Sequence, residues 1–237
     1  MKLEGIKEIT GKIILKSGLH IGSGNQEMKI GGTDNPVIKH PHTNEPYIPG
    51  SSLKGKIRSL LEMRSGLMVK TNGSPVSLKT LTLNINNNEK KECEKILKLF
   101  GAGASESDTS DLGSTRASFA DCPLDDDWRK KASDQHLAFA EYKSENTIDR
   151  IKGTAGNPRI TERVPAGVEF KFCISLKKLN SNEDELETFL LDGLKLLEMD
   201  ALGGSGSRGY GKIEFKFDDE KIEEKFNKAL PFDKKEG

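Results

Sequence analysis

Between residues 167 and 176 the chain places Val168, Phe170, Phe172, Ile174 and Leu176 at every second position. A period of two is the repeat of a strand with one buried face, and no helix gathers those five side chains on one side. Residues 11–22 repeat the pattern with Gly11, Ile13, Leu15, Ser17, Leu19 and Ile21 alternating with a face that carries Lys12, Lys16 and His20. Residues 210–217 repeat it again through Ile213, Phe215 and Phe217, and residues 116–124 supply a further strand. Helical spacings lie between. Leu53, Ile57, Leu60 and Leu61 follow Ser51 and Ser52, either of which suits a helix cap, and residues 184–199 put Leu186, Phe189, Leu190, Leu194 and Leu197 on one face. The order strand, helix, strand, strand, helix, strand predicts an α+β chain with a ferredoxin-like βαββαβ sheet and helices on one face.

A single domain over 1–237 is expected, with insertions at about 23–50, 65–115 and 142–166. Residues 65–88 are polar and rich in breakers, which predicts a mobile insertion; 89–100 return to helical spacing, and 137–143 read as a strand. Asp125, Asp126 and Asp127 read as a solvated turn. The 37 basic and 37 acidic residues cancel, so no global field announces a partner, although Lys and Arg outnumber Asp and Glu over residues 1–70. Cys93, Cys122 and Cys173 are odd in number and far apart, which suits a reducing compartment, and Cys122 reads as a small core residue. The cytoplasm is the expected location. Apolar runs are far shorter than the ~20 residues of a membrane span, and the first 22 residues lack the order of a signal peptide.

Three segments carry chemistry. Residues 202–211 contain Gly204, Gly206 and Gly209 in a G-x-G-x-x-G pattern, yet the loop follows a helix and precedes a strand, which is the reverse of a dinucleotide fingerprint. No Gly-Lys-Ser/Thr closes it as a Walker loop. What it offers is a backbone that a phosphate can approach at Ser205, Gly206 and Gly209, with Arg208 supplying charge. The segment Pro49-Gly-Ser-Ser-Leu-Lys-Gly-Lys-Ile-Arg58 joins a helix amino terminus to Lys54 and Arg58, four apart, and together these favour a polyanion; a merely solvated helix face is the plain alternative. Residues 148–167 interleave Arg150, Lys152, Arg159 and Arg163 with Gly and Pro and read as a projecting hairpin that can lie along a nucleic-acid backbone or wedge between bases. His20 reads as a partner-contacting residue and Asp34 as a carboxylate in a Gly-Gly-Thr-Asp-Asn loop. His40 and His42 straddle Pro41 without a cysteine pair, and no spacing marks a metal cluster or a nucleophilic triad.

Taken in order, the His20 strand, the Gly-Gly-Thr-Asp-Asn loop, the segment ending at Arg58, Glu145-Asn-Thr-Ile-Asp-Arg150, Pro158-Arg-Ile-Thr-Glu-Arg-Val-Pro165 and the late glycine-rich loop resemble the RAMP superfamily of CRISPR proteins. Within it the chain is similar to the repeated backbone subunit of the type III-A effector, the Csm complex. That resemblance implies an RRM-like palm, an inserted thumb hairpin and copies of the chain stacked head to tail along a guide CRISPR RNA with other Csm-complex subunits. It implies that Lys54, Arg58 and Arg208 with its neighbouring glycines grip the guide, and that the hairpin wedges into the guide–target duplex. Asp34 would then cleave target RNA by 2′-OH attack with Mg²⁺ or another divalent cation, and Glu145 would be at most an auxiliary. Two other readings stay open. One is a precursor CRISPR RNA processing endonuclease built on a histidine acid–base site; the other is a non-catalytic guide-holding scaffold.

Overall fold

The computed structural model describes residues 2–24, 35–103, 112–179 and 183–232. In chain order the elements are β1 (Gly5–Leu15), α1 (Gly50–Arg64), α2 (Leu67–Lys70), α3 (Asn87–Phe100), β2 (Ala117–Phe119), α4 (Asp126–Asp134), β3 (Glu141–Ile148), β4 (Ala155–Arg163), β5 (Glu169–Lys178), α5 (Asp184–Met199), β6 (Ile213–Phe217) and α6 (Glu220–Lys228). Four strands form one sheet in the order β2-β5-β1-β6, every neighbouring pair antiparallel. The first and third strands of the βαββαβ set thus lie side by side at the centre, which is the ferredoxin-like arrangement expected from the alternating segments. β3 and β4 form a separate two-stranded hairpin, which Asn35 also bridges at Thr161 of β4.

Period two decides the buried face. Ile9, Ile13 and Leu15 of β1, Phe170, Phe172 and Ile174 of β5, and Ile213 and Phe215 of β6 are all buried in the main core. Helices α1 and α5 cover that face through Leu53, Ile57 and Leu61 on one side and Leu190, Leu194 and Leu197 on the other. They meet closely because α5 carries Gly193, where a Cβ would lie 2.6 Å from Ile57 Cγ2 and 2.9 Å from Leu61 Cδ1. A side chain there would force the helices apart.

Several expectations need correction. β1 starts at Gly5 and stops at Leu15, so His20 does not share a strand face with Lys12 and Lys16. Beyond Leu15 the chain turns towards the hairpin, where Leu19 bridges Val164. Neither Ser51 nor Ser52 caps α1: the cap position is Pro49, in an extended conformation, and Asp121 Oδ1 accepts the Gly50 N–H at 2.8 Å. Residues 65–88 fold against α1 as α2 and a 3₁₀ turn at Leu78–Thr82, because Arg58 and Glu62 hold them there: Arg58 donates to Glu62, to the Gly101 carbonyl and to the Val76 carbonyl, and Glu62 accepts the Val76 N–H. The strand expected over 116–124 is confined to Ala117–Phe119, and the one expected over 137–143 starts at Glu141. Asp125 is no solvated turn residue. It is buried, caps α4 through the N–H groups of Asp127 and Trp128, and pairs with Lys12 at 3.1 Å. Cys122 is in the core, as expected.

Candidate nucleic-acid interface

The hairpin meets the palm at Glu162, near the end of β4. This one buried residue makes four connections. Its N–H donates to the Asn35 carbonyl at 3.1 Å and its carbonyl faces His20 Nδ1 at 2.7 Å. Its carboxylate accepts from the Val37 N–H at 2.9 Å and from Lys39 Nζ at 2.6 Å. A carbonyl only accepts, so His20 Nδ1 carries a proton, and in the neutral ring Nε2 is left as an acceptor. Asp34 lies outside the described residues; its chain neighbour Asn35 bridges Thr161 of β4.

The glycine-rich loop packs on the same region. Gly204 N–H donates to the His20 carbonyl and Gly211 N–H to the Gly18 carbonyl, both at 2.9 Å. At Gly203 a Cβ would lie 2.4 Å from the His20 carbonyl oxygen, and at Gly211, with φ +72°, 1.9 Å from the Leu202 carbonyl oxygen. Those two glycines therefore serve the chain's own backbone. Gly209 is different. With φ +82° it closes the short Gly206–Arg208 turn that starts at Ser205, and nothing lies within 4 Å of where its side chain would be. Arg208 stands beside it, 46% exposed, donating to Ser205 Oγ.

Tyr210 joins loop and hairpin. It is fully buried, and Lys143 Nζ at 4.6 Å and the Arg163 guanidinium at 4.9 Å both make cation–π contact with its ring. Its hydroxyl donates to Glu145 Oε1 at 3.2 Å. Glu145 is 11% exposed and surrounded by cations: Arg159 at 3.3 Å, Arg208 at 3.6 Å and Lys143 at 3.7 Å. Burial alone would raise its carboxyl, but the Tyr210 hydroxyl and these cations outweigh it and hold the group below its ordinary range. Burial and the adjacent Glu145 push the Tyr210 phenol up.

The structure thus gathers His20, Arg159, Arg163, Ser205, Gly206, Arg208 and Gly209 at the hairpin base. Arg163 is already committed there, to Glu141 at 2.6 Å and to the Tyr210 ring. Arg150 sits in the exposed turn of the hairpin beside Ile151, which is 96% exposed. Lys54 is half-buried on α1; burial, and secondarily the Arg58 charge, hold its ammonium below the ordinary lysine value. Arg58 does not stand ready for a polyanion: all three of its nitrogens donate within the protein. The amino terminus of α1 is likewise answered by Asp121. Sequence reasoning passed over Tyr210, Lys143, Lys39 and Glu162. Tyr210 had a signal, a lone aromatic among glycines, whereas Glu162 had none. Among the described residues no three His, Cys, Asp or Glu side chains gather as a metal site, and no helix is long and apolar enough to cross a membrane.

Comparison with known proteins identifies the family. The profile of the RAMP superfamily matches residues 12–214. The chain is 42% identical over 221 residues to the CRISPR system Cms endoribonuclease Csm3 of Methanothermobacter thermautotrophicus, covering 88% of this chain and 82% of that protein. It is 43% identical over 218 residues to the protein of the same name in Methanocaldococcus jannaschii, covering 91% and 81%. A crystal structure of the Csm3–Csm4 subcomplex of a type III-A CRISPR-Cas interference complex superposes with a TM-score of 0.54 at 30% identity, over 91% of this chain and 78% of that one. Csm3 of Methanopyrus kandleri shares the fold, with a TM-score of 0.56 at 23% identity over 91% and 76%. The chain belongs to the RAMP superfamily and, within it, to the Csm3 family.

Proposed function

We propose that this chain is the repeated backbone subunit of a type III-A CRISPR effector, that it binds a guide CRISPR RNA, and that it cleaves RNA complementary to that guide at regular intervals. The observation that carries this reading is the meeting, at one hairpin base, of the glycine-rich loop with Arg208, the His20 ring and the segment that enters at Asn35. The positive, open-backed loop suits a sugar-phosphate backbone. The projecting hairpin, with Ile148 and Ile151 exposed towards its turn, suits a wedge between base pairs. Copies of the chain stack head to tail along the guide, alongside other Csm subunits.

In the cleavage step the wedge frees one ribose from A-form geometry, so that its 2′-oxygen can attack the adjacent phosphorus in line. The P–O5′ bond breaks, leaving a 2′,3′-cyclic phosphate and a 5′-hydroxyl. Asp34 positions the 2′-hydroxyl or accepts its proton, and a proton must reach the departing 5′-oxygen. Glu145 and Glu162, the described carboxylates bound to the loop and to the Asn35 segment, are engaged by cations and N–H groups, so the described residues offer Mg²⁺ no ligand set. A divalent cation, which would neutralise phosphate charge, would need Asp34 and the RNA itself as ligands.

The test is the purified complex on guide-complementary RNA. Asp34→Ala should abolish regularly spaced products while RNA stays bound, and DNA of the same sequence should stay intact because it lacks the attacking hydroxyl. Normal cutting by that variant would refute the assignment. Cleavage of precursor repeat RNA by the lone chain, lost in His20→Ala, would favour the processing reading, for which the supporting feature is a His20 ring oriented through Nδ1 by the Glu162 carbonyl.

A further inference from the structure

Glu145 is an unusual residue for a surface meant to hold RNA. It projects a carboxylate among Arg159, Arg208 and Lys143, all within 3.7 Å. Its two oxygens differ. Oε1 accepts the Tyr210 hydroxyl, whereas Oε2 is buried and accepts no hydrogen bond among the described residues, although it is the oxygen nearest both guanidinium groups. Arg159 and Arg208 come from the hairpin and from the glycine-rich loop, and each is about half exposed, at 49% and 46%. At 3.3 and 3.6 Å they are held by charge, without hydrogen-bond geometry. Arg163, by contrast, is fixed by a 2.6 Å pair with Glu141. One largely buried carboxylate therefore faces two half-exposed guanidinium groups from different parts of the fold, of which Arg208 also donates to Ser205 Oγ.

We propose that Glu145 is a resident counter-anion of the RNA-binding surface: it occupies, in the free protein, the charge position that a backbone phosphate of single-stranded RNA takes on loading, so that Arg159 and Arg208 exchange an internal carboxylate for an RNA phosphodiester. This rests on the RNA-binding reading above and deepens it. The exchange is feasible because both guanidinium groups reach solvent, and because Glu145 keeps the Tyr210 hydroxyl when they leave. Its consequence is selectivity by charge count. A single weak anion does not repay the lost pairing, whereas a chain of phosphates engages both arginines together with the hairpin's other cations.

The experiment uses the full-length chain and a fluorescein-labelled single-stranded oligoribonucleotide, read by fluorescence anisotropy across a salt series. Glu145→Gln keeps an acceptor for Tyr210 and removes the charge. It should tighten binding roughly five- to tenfold at low salt and steepen the log K against log salt slope by about 0.7, the value for one further phosphate neutralised on a single strand. In an Arg159→Gln/Arg208→Gln background the same change should alter affinity less than about twofold, as should Glu224→Gln, whose carboxylate pairs only with Lys228 among the described residues. Equal or weaker binding by Glu145→Gln, with RNA bound normally by the wild type, would overturn the proposal and leave the RNA-binding reading intact. An undiminished gain in the double-glutamine background would overturn it too, as an effect of net charge. RNA ignored by wild type and variant alike would overturn the RNA-binding reading itself.

Discussion

Replacing Arg58 with methionine removes a guanidinium that donates to Glu62, to the Gly101 carbonyl and to the Val76 carbonyl at 2.8, 3.2 and 2.6 Å. The methionine fills much of the same channel but leaves the Glu62 carboxylate, buried, without its cation. Hydrogen bonds to charged groups contribute roughly 1.5–3 kcal/mol each, and removing one partner of a buried pair costs about 3–5 kcal/mol. Because the Arg58 side chain is 19% exposed, the lower end applies, about 3 kcal/mol. For a chain of this length that corresponds to a Tm lower by roughly 6–12 °C, measurable by calorimetry or by circular dichroism on heating. Adding Glu62→Gln should restore part of the loss, since the amide oxygen still accepts the Val76 N–H and no charge is stranded. If Arg58→Met melted within about 2 °C of the wild type and instead lost RNA affinity, Arg58 would be an RNA contact, as its place beside Lys54 had led one to expect.

Gly211→Ala should destabilise by at least roughly 2 kcal/mol in urea denaturation, because the new methyl group would meet the Leu202 carbonyl at a positive φ. Burial raises the Asp125 carboxyl, but the Trp128 N–H and Lys12 outweigh it and hold the group below the ordinary aspartate range in the folded state. Its contribution to stability is complete at pH well above the ordinary carboxylate range and is lost as pH falls through that range to the depressed value; Asp125→Asn should therefore flatten the acid limb of a stability–pH curve. Burial pushes the Cys93 and Cys122 thiols up to about 12, so at pH 8 neither should react with a disulfide reagent until the protein is denatured. Chelation with EDTA should abolish target cleavage and leave guide binding in place, if a divalent cation serves the cut.

The sheet was legible because its strands bury one face: the alternation around Phe170 and Phe172 and around Ile213 and Phe215 records directly which way the core lies. The helix of residues 184–199 was legible to the residue for the same reason at a different period. Helix α6 went unread, since only Ile222 and Phe226 of its nine residues are buried and its surface is charged. Pairings between distant residues were the harder matter. A Lys54/Arg58 spacing looks identical whether the arginine faces RNA or a carbonyl 43 residues away, and only the folded insertion decides. Glu162 is one acid in a charged run by sequence, and its four connections exist only once β4 lies beside the segment at Asn35.

The hairpin of β3 and β4 is a lever with a short fulcrum. Eight residues of β3 at ~3.3 Å each reach roughly 26 Å, and among the described residues the outer part of the ribbon, beyond the Asn35–Thr161 bridge, pairs only within itself. A tilt of about 5° at the base would carry the tip sideways by roughly 2 Å over that reach, more than half a hydrogen-bond length. Two-stranded ribbons are marginal on their own, so angular stiffness has to come from the base, where Tyr210 is in contact with two cations of the hairpin and Glu162 makes four connections. Softening either anchor should blur the position of the tip, and products of cleavage would then spread over neighbouring nucleotides.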